Sequence, residues 1–160
     1  MDSTTRVDVF LRESVPFHAR ARQLVTLSRL RSLQAAGVVD TVRVDTWANR
    51  TTATCGDTDS AMAVLDGFQA WADEHGVALT PGFESHDSHC GFTDRDFRTT
   101  VFPVLCLAIY EDDVLVAVYP HSTDVSSVSV ADGLAVLEAD ARTADHESVN
   151  AVTDHDRPTP

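Results

Sequence analysis

The chain has 160 residues, enough for one ordinary domain with a hydrophobic core, and its 43% apolar content excludes wholesale disorder. Its net charge of −13 comes from 19 Asp and 6 Glu set against 12 Arg, with no Lys anywhere. No run of about 18 apolar residues is present to span a membrane, and the opening Met1-Asp2-Ser3-Thr4-Thr5 lacks the basic-then-apolar pattern of an export signal.

Residues 6–11 (RVDVFL) predict a short strand. The stretch Ser14-Val15-Pro16-Phe17-His18 breaks it. A helix is predicted over 19–36, where Leu24, Leu27, Leu30 and Leu33 with Val25 form a broad apolar stripe, and Gly37 stops it. Residues 38–47 read as a strand with one more polar side. Residues 49–59 read as a Thr-rich loop, and Ser60 as the N-cap of a helix over 61–75. In that helix Ala61, Val64, Leu65, Phe68, Trp71 and Ala72 recur at helical spacing, and Gly76 closes it.

A strand is then expected over 77–83, confined to an edge by Pro81, followed by a long polar loop over 84–100. The almost wholly apolar run 101–110 predicts a central strand. Glu111-Asp112-Asp113 turns it into an antiparallel partner over 114–119. A last helix over 130–139 starts from Ser129 as N-cap, with Asp132 in its first turn. A single α/β domain over 1–143 is expected, with a disordered acidic tail over 144–160.

Three features carry resemblances. The Asp-rich, Lys-free composition resembles proteins of extremely halophilic archaea, in which an acidic surface is a solvation device and net charge ceases to report on partners. Residues 7–24 (VDVFLRESVPFHARARQL) resemble the first strand, active loop and first helix of glutaredoxins. Residues 102–137 are similar to the C-terminal half of thioredoxin-like proteins, in which Pro103 takes the position of the cis-proline. This resemblance implies an α/β fold of thioredoxin-like β-α-β-α-β-β-α order with an insertion before the C-terminal hairpin. The motif Val15-Pro16-Phe17-His18 holds no sulfur where the redox chemistry needs a thiolate, so what the resemblance implies is a non-catalytic domain acting through a protein partner or as a homodimer. Finally, residues 27–44 (LSRLRSLQAAGVVDTVRV) are similar to the recognition helix and first wing strand of winged-helix regulators. That implies a helix-turn-helix transcriptional regulator in which Arg20, Arg22, Arg29 and Arg31 contact nucleic acid. The two short helices that precede such a recognition helix have no counterpart here; a strand pattern occupies their place.

One further cluster bears on chemistry. Glu84-Ser85-His86-Asp87-Ser88-His89-Cys90 gathers nitrogen and sulfur donors of the kind zinc accepts, and Cys55 supplies a fourth ligand if the loops meet. The other reading is a solvated polar loop, and no cofactor is expected. Cys55, Cys90 and Cys106 are an odd count without framework spacing, which suits a reducing cytoplasm. No Gly-rich phosphate loop and no nucleophile elbow is present, and no enzyme class is assigned.

Overall fold

Strand β1 (Thr5–Arg12) carries the organisation of the molecule in its alternation. In a computed structural model, which describes residues 3–54, 60–80 and 82–141, Val7, Val9 and Leu11 face one side of a sheet and Phe10 the other. Helix α1 (Phe17–Ala35) leads to β2 (Thr41–Trp47), which lies parallel to β1 with Val7 opposite Val42 and Arg12 opposite Trp47. On its other edge β1 pairs antiparallel with β6 (Leu105–Glu111), Val7 facing Ile109. β6 turns into β7 (Val114–Tyr119) through Asp112 and Asp113, both left-handed at φ 50 and 65. That pair of positive φ angles is what a tight hairpin demands. The sheet order is β2-β1-β6-β7.

Apolar layers cover both faces of this sheet. On one side α1 and helix α3 (residues 130–141) bring Leu30, Leu33, Leu134 and Leu137 onto Val7, Val9, Leu107 and Ile109. On the other side α2 (Ser60–His75) brings Leu65, Phe68, Trp71 and Ala72 over Phe10, Cys106 and Val118. The second layer is aromatic: Trp47 stacks between Phe10 at 4.8 Å and Phe102 at 4.5 Å, and Phe68 meets Phe10 edge-on at 5.7 Å.

With the helices and this sheet alone, the chain order is β1-α1-β2-α2-β6-β7-α3: a mixed α/β molecule. The remaining segments depart from expectation. Strand β3 (Arg50–Thr54) rises where a loop is expected, and residues 55–59 with Cys55 lie outside the described residues. The expected polar loop over 84–100 is a hairpin, β4 (Glu84–Cys90) and β5 (Arg95–Val101), and β3-β5-β4 form a second sheet. Both faces of β4 are exposed, so no hydrophobic alternation marks it. The strand expected over 77–83 is a single bridge, Ala78 to Ser122, although Val77 and Leu79 alternate inward with exposed Ala78 and Thr80 and pack with Phe83 into the core under α2. Strands β8 (His121–Ser122) and β9 (Ser127–Val128) pair in a small ribbon that leads to α3. The cis peptide bond lies at Tyr119–Pro120, not at Pro103 as expected. The tail expected over 144–160 lies outside the described residues.

Candidate functional site

Helix α1 forms because its nineteen residues contain neither Gly nor Pro and are rich in Ala, Leu, Arg and Gln, all strong helix formers. Pro16, at φ −61 and ψ 161, is its N-cap without a side-chain cap bond. Gly37, at φ 81, ends it in the left-handed region that a side chain resists. The helix contains no acidic residue, in a chain with 25 Asp and Glu.

Its inward face differs from the one expected. Ala19, Gln23, Thr26, Leu30 and Leu33 are buried, whereas Leu24 and Val25 stand 59% and 58% exposed and Phe17 91%. Leucines spaced by three fall back roughly 60° around a 3.6-residue helix at each step, so a run of four cannot stay on one face. Gln23 takes the inward position instead. Its Nε2 donates to the carbonyls of Arg12 at 3.2 Å and Val104 at 2.7 Å, joining the ends of β1 and β6, and its Oε1 accepts from Arg20 at 2.7 Å.

The four arginines of α1 divide into two pairs. Arg20 is engaged by Gln23 and by the carbonyl of Glu13 at 2.7 Å. Arg29 bonds Glu138 of α3 at 2.6 Å, and this hydrogen bond holds the guanidinium charge more firmly than usual. Arg22 and Arg31 are exposed and make no hydrogen bond or ion pair among the described residues. Nine residues apart, they stand about 13.5 Å apart along the axis and about 180° apart around it. Between them the outer surface carries Phe17, Ala21, Leu24, Ser28 and Ser32. The result is a neutral, partly apolar ridge with one unpaired guanidinium on each flank.

The remaining predicted positions are not brought together. Val15 is half-buried, Pro16 and His18 are exposed, and Pro103 lines the groove between α1 and α3. His86 and His89 lie on a strand at odd spacing and so face opposite sides of the second sheet, where one metal ion cannot collect both. His86 stands 3.9 Å from Glu84, and His89 lies between Asp94 at 3.3 Å and Asp96 at 2.8 Å. No group of three or more metal-ligating side chains occurs among the described residues. Cys90 sits at the hairpin end, where the Thr93 hydroxyl and the N–H groups of Thr93 and Phe92 hold its thiol below the ordinary value. Burial pushes the Cys106 thiol well up and makes it inert.

Sequence reasoning missed a half-buried polar corner on β1. Asp8 accepts from Arg6 at 3.1 Å, Arg6 also reaches Asp113 at 3.2 Å, and its guanidinium covers the Tyr110 ring at 4.2 Å. Only the opposite-charge pair two residues apart in RVD, lying on one side of a strand, signals it in the sequence.

No helix among the described residues is long and apolar enough to cross a membrane. Among the described residues, the three helices do not follow one another: two strands separate α1 from α2, and six separate α2 from α3. No curated protein and no solved structure gives a match to the chain. A protein-family model described as a helix-turn-helix domain matches residues 1–142, and the chain belongs to that family.

Proposed function

We propose that the protein is a DNA-associated transcriptional regulator that presents the outer face of α1 to nucleic acid. The observation that carries the reading is the acid-free, arginine-flanked ridge of α1 in a chain of net charge −13, within a family described as helix-turn-helix. A B-DNA major groove about 12 Å wide admits one helix. Guanidinium groups on opposite flanks, Arg22 and Arg31, then reach the phosphates of the two groove walls. Ser28, Ser32 and the apolar side chains of the ridge face the base edges, where hydroxyls bond and apolar groups meet thymine methyls. Chromatin immunoprecipitation tests the reading: discrete loci are enriched with the native chain and lost with Arg22→Ala/Arg31→Ala. Absence of enriched loci overturns it. In a binding titration against salt, the double variant lowers the slope of log K by roughly 2, one for each phosphate contact removed.

A second reading is favoured by one specific observation. A four-stranded sheet, with β1 and β2 parallel and β6 and β7 antiparallel, supports this reading, while the absence of a cis bond at Pro103 counts against it. On that reading the molecule is a thioredoxin-like domain without redox chemistry, which acts through protein contacts or as a homodimer. Turnover in an insulin-reduction assay, or a mixed disulfide trapped with a partner, overturns it. Both readings place the protein in a salt-rich cytoplasm, on the strength of its Asp-rich, Lys-free composition.

A further inference from the structure

The groove between α1 and α3 encloses about 680 Å³, within the usual range for small-molecule sites. Its walls are mostly apolar: Val25 from α1, Leu105 at the start of β6, Pro120, and Val130 and Leu134 from α3. Pro103 and Pro120 give it rigid sides, because their rings fix the backbone. The Arg29–Glu138 pair crosses from one helix to the other a turn beyond Leu134 and bounds the groove there. Seven residues back along each helix stand Arg22 and Ala131, both lining the groove. Arg22 has no partner among the described residues. The acid nearest that end on α3, Asp132, is engaged in the helix cap: its Oδ2 accepts from the Ser129 N–H at 2.8 Å and hydroxyl at 3.0 Å. An apolar trough of limited length with one unpaired guanidinium suits a short apolar chain that ends in an anion, since guanidinium binds carboxylate with two parallel hydrogen bonds.

We infer that this groove is a binding site for a small amphipathic anion, in chemical class an alkyl carboxylate, with its chain between α1 and α3 and its carboxylate on Arg22. The inference goes beyond DNA binding and does not depend on it. Isothermal titration of the full chain at one fixed salt concentration compares octanoate, octanol and octyltrimethylammonium. Octanoate saturates one site, octanol binds about tenfold more weakly, and the cation does not bind. Arg22→Gln weakens octanoate about tenfold, the loss of one charge-assisted contact, and leaves octanol unchanged. Ala131→Trp, on the exposed rim, fills the groove and abolishes binding of both; Val25→Trp does the same from the opposite wall. Thermal melts by circular dichroism establish that both variants fold. Absence of saturable octanoate binding overturns the inference, as does equal binding of all three compounds or native affinity in both Trp variants. Dimerisation that both Trp variants abolish, without octanoate binding, overturns it in favour of a second copy of the chain. None of these measurements involves nucleic acid, so their failure and a failure of DNA binding are told apart.

Discussion

Gln23 shows how one polar side chain in an apolar layer fixes a junction. Its amide donates to the backbone carbonyls of Arg12 and Val104, at the point where β1 ends and β6 begins. Gln23→Leu roughly keeps the volume and removes both amide donations, leaving the Val104 carbonyl only its bond from the Arg12 N–H at 3.1 Å, so urea denaturation is expected to show a loss of about 1–3 kcal/mol. Gly133 is constrained in the opposite sense, by space. A Cβ there would lie 2.6 Å from the Tyr119 ring, so Gly133→Ala costs about 1–3 kcal/mol from overpacking, although alanine favours helix. Asp8 links the fold to pH. Burial raises its carboxyl above the ordinary value of 3.8, against the pull of Arg6 and Arg43. Its contribution to stability is therefore fully present below pH 3.8 and fades as pH rises through the folded value. Asp8→Asn removes that dependence, and the difference between native and variant urea midpoints grows smaller as pH falls towards 3.8. An unchanging difference across this window means that Asp8 titrates as it does in the unfolded chain. None of these three roles can be read in full from the sequence, because Gln23 depends on Val104 from far along the chain, Gly133 on the ring of Tyr119, and the pH response of Asp8 on the burial that the fold creates.

At the scale of elements, what the sequence reveals tracks how strongly water sorts the faces of each segment. Helix α2 and the β6-β7 hairpin are legible to within a few residues, the one by its 3.6-residue stripe and the other by a buried run closed with Asp-Asp. The β4-β5 hairpin is not, since a strand with two exposed faces has no alternation to read. The same limit hides the geometry of the candidate metal cluster: spacing of three suits a helical turn and fails on a strand. For α1 the sequence reveals the helix and its arginines but not which side faces inward. Leu30→Ala on the inner face is expected to cost about 2–5 kcal/mol. Leu24→Ala on the outer ridge should stay within about 0.5 kcal/mol. Equal losses at the two sites would place both leucines in the core and remove the ridge from any binding role.

For the whole molecule, charge is the dominant variable. A net charge of −13 on 160 residues repels itself, and raising ionic strength from 0.1 to 1 M shortens the Debye length from about 10 to about 3 Å. Urea midpoints are therefore expected to rise between 0.1 and 2 M KCl and to rise equally in NaCl, since screening does not distinguish the cations. A flat response would detach the composition from salt adaptation. The sheet also orders events during synthesis. β1 lies between β2, which emerges within the first 47 residues, and β6, which ends at Glu111. At about 5–20 residues per second, the edge of β1 that faces β6 stays bare for roughly 3–13 seconds after β2 has left the ribosome. Through that interval Val7 and Val9 lie on a strand with one edge unpaired, open to the same strand of a neighbouring nascent chain. Two such chains on one messenger can pair there before either has made its own β6.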